Sequence, residues 1–319
     1  MNIRHPDKLK ALEILVEDIC GQHDRLEQLT HQFRQRIEQV GSASESSSSP
    51  ESGAHWKLIA FVDSLVRVRL FLENNFKCVE TIGILAVARY MFELTVWLKL
   101  LQRDSRYGVV YHRELLKKQL EFYAEFRNNA VREISFLRVI GVEEQRLIES
   151  RLSETKRLPD EEARKKGLRE LSQRVTQEID RKASRIFSLY AEQAQSNGYD
   201  FQAHLVETKV LPEYSKAIAD LKQKLDAFER NTPSDVRCLV PKRWNWRDQA
   251  ERVDMKDEYD FIYAYASRLL HATPASLTTN QKSLEPDEMR AFLKYIRVRL
   301  LDIIEMAEAL LASNSTRTN

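Results

Sequence analysis

Apolar positions recur every three or four residues along most of the chain, with charged positions between them. From Pro6 to Val40 the apolar side chains fall on one helical face and the charges on the opposite face. This pattern predicts one long amphipathic helix that ends at Gly41. Its apolar stripe suits packing on the rest of the protein or binding to a partner.

The segment from Ser42 to Gly53 is rich in serine and has no side chains that could build a core. It therefore predicts a flexible linker, so that the first helix is a tethered element. The predicted organisation is an N-terminal helix over 1–41, a Ser-rich linker over 42–54, a helical bundle over 55–312 and a disordered tail over 313–319.

The same periodicity continues through the bundle, and no strand-like alternation interrupts it. The charge-rich stretch Asp160–Ser196 has a thin apolar stripe and predicts a polar helical arm. The fold class is therefore all-α, a multi-helix bundle. Its helices are predicted over His55–Asn74, Phe76–Gln102, Tyr111–Ile140, Val142–Leu158, Asp160–Ser196, Pro212–Arg230, Asp254–Leu270 and Pro286–Leu311.

Composition supports long helices and a reducing environment. The chain of 319 residues contains only 8 Gly and 8 Pro, and a protein with so few turn residues needs long elements. Its three cysteines lie far apart, which predicts neither disulfides nor a zinc site. With no secretory signal and no uncharged apolar span, the sequence predicts a cytoplasmic protein without a membrane segment.

Known catalytic motifs and metal-ligand spacings do not occur in this sequence. It lacks a P-loop, a GxGxxG, an HExxH and a GxSxG motif. No cofactor and no metal ion is therefore expected, and any chemistry must come from side chains on helices. The net charge of +2 gives no general affinity for nucleic acid, so RNA binding would require a local patch.

One candidate site is the motif Arg89-Tyr-Met-Phe-Glu93. Arg89 and Glu93 are four residues apart in an apolar helix and therefore share a face. Buried charges are costly unless they are paired. The pair is either a structural ion pair at a helix crossing or part of a functional cleft.

A second candidate is the segment Tyr263 to His271. Tyr263, Ser267 and His271 are spaced by four and lie on one helical face, with Arg268 beside His271. The helix C-terminus favours a protonated imidazole. His271 is either a catalytic residue or a histidine that caps the helix or packs in the core.

A third candidate is the basic and aromatic stretch from Arg237 to Arg247. Arg243 and Trp244 could contact single-stranded nucleic acid by charge and by stacking. The alternative is a loop that its tryptophans hold against the bundle.

The R-x-x-x-E motif, followed by Y-x-x-x-S-x-x-x-H and Pro274, resembles the bacterial family called domain of unknown function 5677 over about Trp56 to Leu311. That family is distantly similar to the HEPN helical bundles of toxin and phage-defence systems. The sequence departs from the HEPN ribonuclease pattern, because Arg132 and Glu133 stand where a histidine should follow Arg127 and Asn128.

The resemblance implies a metal-independent ribonuclease that acts as a dimer with a cleft between its protomers. His271 would be the base or acid, Arg89 or Arg268 would neutralise the phosphate, and Glu93 would orient the arginine. Tyr263 or Ser267 would hold the scissile phosphate. The alternative function is a non-catalytic scaffold or regulator that binds protein partners through its amphipathic helices.

Overall fold

The computed structural model describes residues 6–43, 53–76, 80–157, 160–271 and 283–315. These residues are almost entirely helical, and none of them lies in a β-strand. The all-α fold class is therefore confirmed. None of the described helices combines the length and the apolar character that crossing a membrane would need.

The helices follow one another with short connections. Two π-helical segments, Val206–Val210 and Tyr259–Tyr263, interrupt longer helical runs. The α-helices are α1 (Pro6–Cys20), α2 (His23–Ala43), α3 (Gly53–Asn75), α4 (Thr81–Arg103), α5 (Tyr107–Lys156), α6 (Glu161–Ala183), α7 (Ala191–Asn197), α8 (Tyr199–Leu205), α9 (Leu211–Asn231), α10 (Ser234–Arg237), α11 (Trp246–Glu251), α12 (Lys256–Glu258), α13 (Ala264–Leu270) and α14 (Pro286–Ser315).

The chain divides into two compact units. Unit 1 contains residues 1–112 and 232–319, and unit 2 contains residues 113–231. The sequence predicted one bundle over 55–312. The difference arises because two separate apolar clusters form, and periodicity along one helix does not show which partner its apolar stripe will contact.

Helix α4 is the central element of unit 1. It packs against α3, α11, α13 and α14, and its side chains are buried on most of its circumference. Glu80 caps its N-terminus, where the carboxylate accepts hydrogen bonds from the backbone N–H groups of Ile82 and Gly83. Because α4 is surrounded, the charged side chains that it carries must find partners inside the bundle.

The predicted first helix is two helices in the structure. Gly21 and Gln22 separate α1 from α2, and the apolar side chains Ile19, Leu26 and Phe33 are fully buried in the core of unit 1. The apolar stripe of the N-terminal helices therefore packs on the rest of unit 1, which is one of the two alternatives that the sequence left open. Most of the predicted linker, 44–52, lies outside the described residues.

Unit 2 is built on the long helix α5 and on α6. The predicted polar arm contains α6, whose thin apolar stripe is buried against α5 rather than projecting freely. Leu171, Val175 and Ile179 of α6 pack in one cluster with Ile134 and Leu137 of α5. The charged residues of the stretch cover the outer face, which explains its polar sequence.

Helix α5 continues through Gly141, where the sequence predicted a helix end. A Cβ atom at this position would lie 2.6 Å from an Asp200 carboxylate oxygen. Glycine is present because another segment approaches closely, and not because the backbone turns. The predicted helices Tyr111–Ile140 and Val142–Leu158 are thus one element, and 158–159 lie outside the described residues.

Candidate functional site

A pocket of about 630 Å³ lies between α3 and α4 in unit 1. Its volume falls in the range of small-molecule sites, roughly 300–1,000 Å³. Its lining combines aromatic rings, aliphatic side chains and three charged groups. The residues that line it are Ala60, Asp63, Ser64, Val66, Arg67, Leu70, Tyr90, Glu93, Leu94, Trp97, Leu98, Tyr111 and Trp246.

Helical spacing brings these side chains together. On α3 the residues Asp63, Arg67 and Leu70 are separated by four and three positions, so they share one face. On α4 the residues Glu93 and Trp97 follow the same rule. The facing stripes of the two helices therefore form the long walls of the pocket.

One end of the pocket is aromatic. The ring of Trp97 stacks on Trp244 with centroids 4.0 Å apart, and Tyr111 meets Trp97 edge to face at 5.4 Å. Trp246 contacts Trp244 edge to face at 5.5 Å. These mutual contacts hold the rings of Trp97, Tyr111 and Trp246 in place at the pocket wall.

Glu93 belongs both to this pocket and to the predicted pair with Arg89. The Nε atom of Arg89 donates a hydrogen bond to a carboxylate oxygen of Glu93 at 3.2 Å. Both side chains are mostly buried: the exposed fraction is 30% for Arg89 and 25% for Glu93. Burial raises the pKa of Glu93, and the neighbouring guanidinium partly opposes this effect. The pair is thus an ion pair at the edge of a cavity.

Arg89 also reaches the second predicted candidate site. Its Nη2 atom donates a hydrogen bond to the Tyr263 hydroxyl at 2.9 Å, and its guanidinium carbon lies 4.5 Å from the centre of the Tyr263 ring. Tyr263 stacks in turn on Tyr259 at 4.8 Å. Three residues predicted from two distant motifs, Arg89, Glu93 and Tyr263, therefore meet in space.

The other members of the second motif extend away from this contact. Ser267 has a buried hydroxyl oxygen with no hydrogen-bond partner among the described residues. Arg268 and His271 are exposed, and His271 follows the last residue of α13. It lies about 12 Å along the helix axis from Tyr263, at about 1.5 Å per residue. His271 is not among the residues that line the pocket.

The basic and aromatic segment contributes its rings to the core of unit 1. Trp244 packs against the apolar cluster and stacks on Trp97, whereas Arg243 is exposed. The contacts of Trp244 match the alternative in which the tryptophans hold the loop against the bundle. The segment begins at Arg237, the last residue of α10, and ends within α11, which starts at Trp246.

Asp63 is a pocket residue that the sequence analysis did not identify. Its side chain is exposed to the pocket and forms no hydrogen bond or ion pair with any described residue. Its apolar surroundings raise the pKa of the carboxyl, and the charges of Arg67 and Arg34 partly oppose this. The signal was available, because Asp63 and Arg67 repeat the four-residue spacing of Arg89 and Glu93 within an apolar helix.

The pocket tyrosines are shifted in the same direction. Burial raises the pKa of Tyr111 to about 12 and also raises the pKa of Tyr90. A hydrogen bond and the positive charge of Arg67 partly oppose the shift at Tyr90. Both hydroxyls are therefore neutral near neutral pH and can donate as well as accept hydrogen bonds.

One group of possible metal ligands occurs among the described residues, formed by His23, Asp24 and Glu27. The Nε2 atom of His23 lies 2.7 Å from Glu73, and Arg69 contacts both Glu27 and Glu73. The cluster is mostly exposed, and these contacts join α2 to α3 through ion pairs. The cluster is a network of surface charges, and the ion pairs among its members account for their arrangement.

A family model described as Family of unknown function (DUF5677) matches residues 68–289. The match covers more than half of the chain, and the chain belongs to this family. It includes Arg89, Glu93 and Tyr263, while Asp63 and Arg67 lie just before it. No curated protein and no solved structure matches the chain. The predicted family is confirmed, and the relation to HEPN bundles stays a prediction.

Proposed function

We propose that this member of a family of unknown function binds a small planar organic molecule in the pocket between α3 and α4. One observation carries the proposal: a cavity walled by Trp97, Tyr111 and Trp246 contains the carboxylate of Asp63, which has no partner among the described residues. Rings offer faces for stacking, and a free carboxylate accepts hydrogen bonds from a ligand.

The charges of the pocket favour a ligand of low net charge. Two carboxylates, Asp63 and Glu93, are balanced by the guanidiniums of Arg67 and Arg89. Equal numbers of opposite charges leave little net field to attract a phosphate or a metal ion. Binding would therefore depend on shape, stacking and directed hydrogen bonds rather than on long-range attraction.

The test is a ligand-observed NMR screen of planar heterocycles, such as indole and aminobenzimidazole, against saturated analogues such as cyclohexylamine. A Val66→Phe variant fills the pocket, because Val66 lines it. Val139→Phe is the matched control, because Val139 is 64% exposed and lies in unit 2.

We expect the heterocycles to bind the unchanged protein and the Val139→Phe control, and not Val66→Phe. Equal binding of planar and saturated compounds would contradict the proposal. So would heterocycle binding that the pocket-filling substitution leaves unchanged.

A second proposal is metal-independent RNA cleavage as an effector of a toxin or defence system. The contact of Arg89 with Glu93 and Tyr263 supports it, since a positioned guanidinium can neutralise a developing phosphorane charge. In this proposal His271 supplies or accepts the proton, and Arg268, Ser267 and the exposed Arg243 contact RNA. Trp244 would take part only if it left its stack on Trp97.

RNA cleavage is tested with purified His271→Ala and Arg89→Ala variants on a single-stranded RNA, alongside expression toxicity in a bacterial host. His204→Ala is the control, because His204 lies in unit 2. The proposal expects both site variants to lose cleavage by at least about a hundredfold, the scale of a general acid or base for His271 and of charge stabilisation for Arg89. Cleavage or toxicity that persists in His271→Ala would rule the mechanism out.

The non-catalytic alternative is a regulator that binds protein partners, or a second copy of the chain, through the N-terminal helices. It would use their polar faces, because the apolar faces of α1 and α2 are buried within unit 1. Ligand binding in the pocket without RNA cleavage favours this alternative over the ribonuclease.

A further inference from the structure

Asp63 and Arg67 form a donor and acceptor pair on one wall of the pocket. They lie one helical turn apart on α3, with Cβ atoms about 6 Å apart. Arg67 influences the carboxyl of Asp63 through its charge, yet the two side chains form no ion pair or hydrogen bond with each other. Each therefore keeps its own hydrogen-bonding capacity for a ligand.

The hydrogen-bonding groups of Asp63 and Arg67 define which ligand edge they can bind. The Asp63 carboxylate has two oxygens that can accept two parallel N–H bonds, and the Arg67 guanidinium retains donors beyond its bond to Tyr90. A ligand edge that satisfies both presents two adjacent N–H donors beside a carbonyl oxygen. In nitrogen heterocycles this edge consists of a ring carbonyl, a ring N–H and an exocyclic amino group.

We propose that the pocket recognises a guanine-type heterocycle, with Asp63 accepting from its ring N–H and amino groups and Arg67 donating to its carbonyl. The inference rests on the proposed function, because it names the ligand class of the same pocket. The ring would lie among Tyr90, Trp97 and Trp246, which line the pocket and supply aromatic surface to a flat ligand.

Other ligand classes fit less well. Adenine presents one amino donor beside an acceptor, so a carboxylate oxygen would lose water without gaining a partner. An organic cation would approach Asp63 against the charges of Arg67 and Arg34. A phosphate would approach two carboxylates. A neutral ligand edge with two donors and one acceptor can form hydrogen bonds with both Asp63 and Arg67, with no unpaired carboxylate oxygen and no charge repulsion.

The test is isothermal titration of the full chain with guanosine, inosine and adenosine. Inosine keeps the carbonyl and the ring N–H of guanosine but lacks its amino group. The proposal expects guanosine to bind about tenfold more tightly than inosine, the effect of one lost hydrogen bond. It expects adenosine to bind more weakly than guanosine by at least this factor.

Two variants test which side chain binds which part of the guanine edge. Asp63→Asn should remove the preference for guanosine over inosine, since an amide offers only one acceptor oxygen. Arg67→Met should weaken guanosine and inosine equally, because both carry the carbonyl. Asp220→Asn, an exposed change in unit 2, is the control and should leave all affinities unchanged.

The outcomes separate this inference from the proposed function. Equal affinity for guanosine and inosine, or an unchanged preference in Asp63→Asn, overturns the guanine-type ligand. If no nucleoside binds while aminobenzimidazole still binds in the pocket, the ligand class is wrong and the proposed function stands. If neither binds, both are overturned.

Discussion

At the scale of single residues, Arg89 has the most connected position in the candidate site. It donates to Glu93 and to Tyr263, and it lies over the Tyr263 ring. Burial disfavours the charged form of a carboxylate, and a neighbouring cation stabilises that form. The role of Arg89 in the folded protein is therefore to keep Glu93 ionisable at the edge of the pocket.

Replacing Arg89 by methionine should raise the pKa of Glu93 further, because the guanidinium that opposes the effect of burial is removed. The free energy of unfolding should fall by about 1.5–3 kcal/mol, the usual scale for a hydrogen bond to a charged group. Carbon-detected NMR titration of the Glu93 carboxyl measures the first effect, and urea denaturation measures the second.

The control is Arg247→Met, which breaks the exposed pair with Asp260. It should cost less than about 1 kcal/mol, since exposed ion pairs are weak. A pKa of Glu93 that does not change in Arg89→Met would contradict the assigned contact.

Asp63 should give the stability of the protein a pH dependence of opposite sign to that of most acids. Its pKa is raised above the usual 3.8, so the charged form destabilises the folded state at neutral pH. This cost disappears as the pH falls through the raised pKa and below 3.8, where the group is protonated in both states.

Asp63→Asn should therefore be as stable as the unchanged protein or more stable at neutral pH. The difference should shrink as the pH falls towards 3.8. Urea denaturation across this pH range measures the difference in the free energy of unfolding between the variant and the unchanged protein. If the advantage of the variant grew as the pH fell, the prediction would be wrong. Asp220→Asn, exposed in unit 2, provides the baseline.

At the scale of elements, α6 shows how local chemistry defines a helix start. The Asp160 carboxylate accepts a hydrogen bond from the Ala163 backbone N–H at 2.6 Å, and Glu161 and Glu162 follow in the first turn. Side-chain capping satisfies an N–H group that the helix cannot satisfy itself, and acids interact favourably with the helix dipole.

Asp160→Ala should lower the free energy of unfolding by about 1 kcal/mol through loss of the cap. Asp160→Asn keeps an acceptor oxygen and should cost only a small part of this. Chemical denaturation of the two variants measures the difference. Equal losses would show that charge, and not the capping hydrogen bond, stabilises this end of α6.

At the scale of the whole molecule, two apolar clusters define two compact units. Ile179 is fully buried in the cluster of unit 2, and Phe92 is fully buried in that of unit 1. Each cluster draws on helices that are distant in sequence. In unit 1 the helices α1 to α4 pack with α13 and α14.

Ile179→Ala should destabilise the packing of α6 on α5 by about 2–5 kcal/mol, the cost of a cavity in a well-packed core. Hydrogen exchange measured by mass spectrometry should show lost protection in α6 and in 130–140 of α5. Protection of α4 should stay the same. An equal loss across α4 would contradict the division into two units.

Helix content and the apolar faces were accessible from the sequence, because periodicity is a local property. The apolar face of α6 and the helical span of α3 agree with the pattern. The extent of α5 was not accessible, because Gly141 is explained by the approach of Asp200 from another segment. A glycine that ends a helix and one that admits a neighbour look alike in one sequence.

By itself the sequence determined that the chain is all-α, which faces of its helices are apolar, and that Arg89 shares a face with Glu93. These follow from spacings of three and four residues. Only the tertiary structure decided that Tyr263 meets Arg89, that Glu93 faces a pocket with Asp63 and Arg67, and that the chain forms two units. Contacts between distant segments depend on how whole helices pack, and no local spacing encodes that packing.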